Sequence, residues 1–318
     1  MPDAIVAVGT APSLGVWDRA RLRWGENVRI FVAGRIGVAG VALLVLIALF
    51  ALVHPLLLAT VWDPQIYDPM GGFTRDTALP AAPSWTHPLG LSRFGRDVLS
   101  QLMYSVRVAF GLGVFAAAIS VSVGTLVGCL AAFYRDTLVD TLFMRLANFF
   151  MIFPTFTLLV ALSGVAAIDL TRLAIIIGLM GGLGGITVVL KARALGVTVK
   201  PFIDAARIAG GSDLHLIVRH VIPNVLPLSF LYMMFTVTSA IFAEASLSFF
   251  GLLPNVRMSL GLMINEAYTA GYLGGPLLAR YWYLWVPPGL AITLLCAAFY
   301  MIGRGFDEVV NPRLRERS

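Results

Sequence analysis

Six stretches of this chain are apolar for long enough to cross a lipid bilayer, and nothing else in the sequence limits the fold as tightly. They run roughly over Ile36–Val61, Val108–Tyr134, Leu146–Ile168, Leu173–Leu190, Val221–Ala243 and Tyr281–Gly303. A hydrocarbon core of about 30 Å takes about 20 residues of helix. Within it every backbone N–H and C=O must find a partner in the protein, so only helices and closed β-barrels can span. Barrel strands are short and alternate in polarity, whereas these runs are continuous. The expectation is an all-α integral membrane protein with six transmembrane helices. Charge content agrees: 13% of the 318 residues are charged, about half the roughly 25% of soluble domains. The first run is longer than the 7–15 apolar residues of a signal-peptide core, so it is expected to remain as an anchor.

The net charge of +6 does not point to nucleic acid, because the basic residues follow the spans. Arg19, Arg21, Arg23, Arg29, Arg35, Arg135, Arg145, Lys191, Arg193, Lys200, Arg207, Arg219 and Arg304 fall on one side; Arg75, Arg93, Arg96, Arg107, Arg172, Arg257 and Arg280 fall on the other. The excess of positive charge marks the cytoplasmic side, which predicts that both termini are cytoplasmic. The organisation read from this is a cytoplasmic tail over 1–35, a first span over 36–61, an extracytoplasmic loop over 62–104, a core of five spans over 105–303 and a cytoplasmic tail over 304–318. Trp17, Leu22, Trp24 and Ile30, interleaved with arginines, predict a helix lying on the lipid surface. Cys129 and Cys296 both fall inside spans and suggest neither a disulfide nor a metal site.

One polar island, residues 200–224, separates two of the runs and must lie outside the bilayer. Pro201 can open a helix, since its missing N–H would be unpaired there anyway. Phe202, Ala205, Ala206 and Ala209 fall on one helical face. Gly210 and Gly211 stop that helix, because glycine accepts the left-handed conformation of a C-terminal cap. Ser212 or Asp213 can cap a second helix, expected to end near Pro223.

This island resembles the cytoplasmic EAA motif of ABC importer permeases, with Asp204-Ala205-Ala206 in the triplet, then Gly210 and Pro223. Asp204 stands where the family has Glu, which shortens its reach. Residues 87–100, HPLGLSRFGRDVLS, are similar to the signature before the permease core of dipeptide, oligopeptide and nickel importers, in their C-type subunit, with Leu91-Ser92 in place of Thr-Asp. Residues 243–252, AEASLSFFGL, and the ending from Trp285 to Leu314 resemble the same family. The resemblance implies a type I permease whose helix Phe202–Ala209, including Arg207, is a coupling helix docking on an ATP-binding subunit. It further implies a homologous second permease subunit, two ATP-binding subunits holding ATP and Mg, and an extracytoplasmic solute-binding protein. The chain would be a plasma-membrane component for peptide transport, not an enzyme, and would carry no cofactor itself.

Glu244 is the one acid deep in an apolar run; an intramembrane charge is expensive, which makes it a candidate pathway or gate residue. Gly124-x-x-x-Gly128 and Gly181-x-x-x-Gly185 have the spacing at which helix backbones approach closely. No phosphate loop is present, since neither Lys191 nor Lys200 completes Gly-x-x-x-x-Gly-Lys-[Ser/Thr], and there is no metalloprotease motif or nucleophile elbow. His54, His87, His215 and His220 are scattered along the sequence. The rival to an ATP-driven importer is an ion-gradient-driven secondary transporter or channel, which would show repeated halves and several midplane charges. A membrane-anchoring or assembly protein would have no need of the 200–224 loop.

Overall fold

The apolar runs fold as helices. The computed structural model describes residues 28–74, 78–256 and 258–310. Among these, five helices are long and apolar enough to cross a membrane, or six when one bent pair is taken as a single span. In chain order the elements are α1 (Arg35–Thr60), α2 (Val98–Phe133), the bent pair α3 (Leu138–Ile152) and α4 (Thr155–Val165), and α5 (Leu170–Thr198). The short α6 (Pro201–Ile208), the long α7 (Asp213–Phe249), the short α8 (Leu260–Thr269) and α9 (Trp282–Val310) follow. This is an all-α integral membrane protein. The surface helix expected around Trp17–Trp24 lies outside the described residues, although residues 28–33 are helical.

Three spans differ from their expected form, each for a local reason. The second begins at Val98, not Val108, because Asp97 caps it: the carboxylate accepts the Ser100 N–H at 2.7 Å. The third is no single rod but turns by 80° between α3 and α4. Pro154 sits at the break and holds Phe153 extended, with φ −83° and ψ 123°, as the residue before a proline prefers. The second helix of the 200–224 island does not end near Pro223. It runs on through Pro223 and Pro227 to Phe249, preceded by a π turn over Ile217–Val221 in which the Ile222 N–H reaches back to the Ile217 carbonyl. That wider turn accommodates a proline that an unbroken α-helix would reject.

Small residues set the packing of the bundle. Gly124 and Gly128 on α2 lie against Ile186, Thr187 and Leu190 of α5, and Gly178 and Gly182 of α5 lie against Ala116 and Ser120 of α2. The Gly124/Gly128 pair thus serves helix contact. Of the second pair, Gly181 abuts Ser120, whereas nothing lies near Gly185. On the other side of the bundle Gly37 of α1 meets Gly305 of α9, and Gly40 meets Ile302. Phe31 and Phe306 pack at a tilt beside that contact, ring centroids 5.0 Å apart. The start of α1, the α2–α3 turn, α6 and the end of α9 therefore share one end of the bundle. The 61–97 loop and α8 share the other.

Candidate functional site

At the first of these ends, α6 is held to the bundle by one side chain. Ile203 is fully buried in a cluster with Cys129 and Ala132 of α2, Leu190 and Ala194 of α5, and Val221 and Val225 of α7. Pro201 stands in the first turn after Lys200, and the Ile203 N–H bonds the Lys200 carbonyl at 2.9 Å. The helix closes in a Schellman pattern: the Gly211 N–H bonds the Ala206 carbonyl and the Gly210 N–H bonds the Arg207 carbonyl, each at 3.0 Å. Gly210 has φ +87°, the left-handed conformation that this cap requires. Ser212 then caps α7, accepting the His215 N–H at 3.4 Å.

The stripe read from spacing lies mostly on the outer side of the helix, open to a partner. Phe202, Ala205 and Ala209 are exposed, Ala206 is half-buried, and Ile203 is the residue that points inward. Sequence spacing missed it because its neighbours three and four residues on are Ala206, a small residue grouped with the other stripe, and the charged Arg207. Ile208, missed as well, is 88% exposed. Together with Asp204 it completes the outward surface, and Asp204 forms no ion pair among the described residues. The flanks are pinned too: the Arg207 guanidinium lies 5.7 Å from the Phe133 ring centroid, and Phe202 packs on His220 at 6.1 Å. Pro223 is exposed on α7. Beside this cluster Lys191 of α5 forms an ion pair with Asp140 of α3. The result is a short surface helix whose outer face is free while its inner residue is wedged among three spans.

A protein-family model described as "Binding-protein-dependent transport system inner membrane component" matches residues 124–316, which include α6 and its cap. The chain belongs to that family. A peptide transport system permease protein of Brucella suis biovar 1 is 34% identical over 73% of this chain and 76% of its own length. A peptide permease protein of Brucella ovis is 29% identical over 89% of each chain. The glutathione transport system permease protein GsiD of Pectobacterium atrosepticum is 27% identical over 93% of each. The family is a transport component of the inner membrane, not a catalyst.

Glu244 in this permease component lies near the α8 end, five positions before α7 stops at Phe249, and is fully buried. Ser248 donates a hydrogen bond to Oε1 at 2.7 Å, while Oε2 has no partner among the described residues. The carboxylate is enclosed by the chain's own elements because Gly261 of α8 sits directly on the Ala245 carbonyl, where any Cβ would collide. We expect Glu244→Gln, which keeps the acceptor for Ser248, to leave uptake within about fivefold, since a single hydrogen bond is worth about 1 kcal/mol net and 1.4 kcal/mol is about tenfold. Glu244→Ala should instead lower membrane abundance. A large loss of uptake by the Gln variant at normal abundance would show that the charge itself is needed.

A second polar cluster at the α8 end went unread in the sequence. Asp97 accepts a hydrogen bond from His87 Nδ1 at 2.8 Å as well as the Ser100 N–H. The Ser100 hydroxyl donates to the Tyr67 carbonyl and so accepts from His54 Nε2, 3.0 Å away. Asp97 thus pairs with His87, ten positions earlier in the chain, and burial pushes its carboxyl above the usual range against the opposing pull of Ser100 and His87. Tyr67 stacks on Trp62 at 4.9 Å and packs at a tilt against His87 at 5.5 Å. The motif 87–100 is thereby a buckle that ties the 61–97 loop to α1 and to the start of α2.

Proposed function

We propose that this chain is the transmembrane permease subunit of an ABC importer that takes up di- or oligopeptides or a related solute. It forms the translocation path together with a homologous subunit. Two separate ATP-binding subunits, carrying ATP and Mg, drive it, and an extracytoplasmic solute-binding protein delivers the cargo. The observation that carries this reading is α6: outward Asp204, Ala205, Ile208 and Ala209 form a surface for an ATPase recess, and inward Ile203 joins that surface to α2, α5 and α7. A displacement of the outer face is therefore felt at the base of three spans, since a close-packed interior transmits strain. Phe202, Ala206 and Arg207 hold the helix in place on its flanks, and Gly210 with the turn leading to Pro223 sets its direction. The domain limits read from the sequence, with 1–35 and 304–318 as cytoplasmic tails, belong to the same proposal. Enclosure of Glu244 by α7 and α8 favours a role in holding α8 over one in lining the path.

Reconstituted vesicles containing the full importer test the reading. Peptide should enter only with binding protein outside and ATP on the ATPase side. Uptake driven by an ion gradient without ATPase subunits would instead support the secondary-transporter alternative. Orientation is tested separately by single cysteines in a background lacking Cys129 and Cys296. A cysteine at Thr74 should react with an impermeant thiol reagent in intact cells, and one at Gly211 should be protected. The reverse labelling pattern would invert the topology.

A further inference from the structure

The α8 end also holds charged groups with no role in the buckle. A pocket between residues 88–101 and α8 is lined by Arg93, Gln101, Glu266 and Tyr272 over an apolar floor of Val98 and Leu284. Its free volume is about 20 Å³, room for one water-sized group. Arg93 Nε is buried and has no hydrogen-bond partner among the described residues, an arrangement folded chains normally avoid. The guanidinium of Arg93 lies 4.6 Å from the centroid of the Phe94 ring and that of Arg96 lies 5.6 Å from it, and this ring is itself exposed. No carboxylate forms an ion pair with either arginine among the described residues. Glu266 is close enough to feel both: burial raises its carboxyl above the ordinary range, while Arg96 and then Arg93 draw it back. Among the described residues two cations face one acid, which leaves a surplus of positive charge there.

We propose that this pocket receives a single carboxylate, the side chain of an Asp or Glu on the solute-binding protein, with Arg93 as its partner. This rests on the importer reading and on the α8 end facing outward. A space for one head group fits the tip of a side chain presented by a larger body, and a whole peptide does not enter it. The exposed Phe94 ring beside it offers apolar contact to a protein surface, and the surplus positive charge selects an acidic one. Desolvated charge pairs at an interface govern dissociation, and removing one partner leaves the other buried and uncompensated.

The importer in nanodiscs is titrated with its peptide-loaded binding protein, reading the concentration that half-saturates stimulated ATP hydrolysis. Arg93→Gln should raise that concentration about tenfold or more. Glu266→Gln, which removes a like charge, should lower it or leave it unchanged. An acid-to-amide scan of the binding protein should find one position that reproduces the Arg93→Gln loss and adds nothing when combined with it, the mark of a directly interacting pair. An unchanged half-saturation for Arg93→Gln overturns the proposal, as does a raised one for Glu266→Gln. It is equally overturned if the Arg93→Gln effect disappears with C-terminally amidated peptide, since the carboxylate would then come from the cargo. Should Arg93→Gln fail to assemble, Arg93→Lys, which keeps the charge, and Glu266→Gln carry the test. If the wild-type complex shows no stimulation by any binding protein, the importer reading itself fails, a result distinct from these.

Discussion

Gly210→Val should leave the protein in the membrane at normal abundance and yet cut ATP-dependent uptake about tenfold or more. The reason is local. Gly210 caps α6 with φ +87°, and a left-handed backbone costs an ordinary L-residue roughly 1–2 kcal/mol, with a β-branched one worse placed still. Nothing lies within reach of an added Cβ there, so the penalty is conformational and not a clash. It can be relieved only by unwinding the cap, which would release the Gly210 and Gly211 N–H bonds to Arg207 and Ala206 and re-aim the outer face. That cost is small against a folding stability of about 5–15 kcal/mol, hence normal abundance. For docking on a second protein, each 1.4 kcal/mol is about tenfold in affinity, so uptake should fall about tenfold or more. Ile208→Asp is the companion: at 88% exposure the substitution leaves the subunit's own packing alone, but puts a charge where an apolar recess would close over it. Uptake measured against membrane abundance checks both. Normal transport by both variants would remove α6 from the mechanism.

Asp97→Ala is expected to have the largest effect on stability. It deletes the cap of α2, worth about 1 kcal/mol, and strips His87 of its one carboxylate partner among the described residues. Breaking a buried pair from one side costs about 3–5 kcal/mol, so the two losses together approach the lower end of the whole stability of a domain. The 61–97 loop should come free of α2, with low membrane abundance and a markedly lowered unfolding temperature in detergent. Asp97→Asn, which can still accept from the Ser100 N–H, should lie between the two. An Asp97→Ala protein as stable as wild type would mean that the His54–Ser100–Asp97–His87 chain does not hold the loop.

The candidate site was partly legible in the chain. Pro201 and the Gly210-Gly211 pair announce a short helix with a left-handed stop, because both residue types act through their own backbone and need no neighbour. Asp204 and Ala205 on the outward face follow from that helix alone, whereas Ile208 beside them went unread. What spacing could not reveal was the inward residue. Ile203 is one side chain on an eight-residue helix, and its role comes from a hole that Cys129, Leu190 and Val221 make only when three distant spans meet. Glu244 shows the same limit in reverse. Its charge in an apolar run was plain to see, but its enclosure depends on α8 folding back until Gly261 rests on Ala245.

By itself the sequence determined that this chain crosses a membrane as helices, roughly where each crossing lies, and where the chain turns at α6. Hydropathy over about 20 residues, and proline and glycine in turns, are properties of contiguous residues and survive without tertiary context. Only the tertiary structure decided that the third crossing bends by 80°, that α7 continues through Pro223, and that His54 and His87, 33 positions apart, share one buckle through Ser100 and Asp97. Those outcomes depend on which donor meets which acceptor across the bundle, and in a dry interior each such group must find its partner in three dimensions, irrespective of distance along the chain.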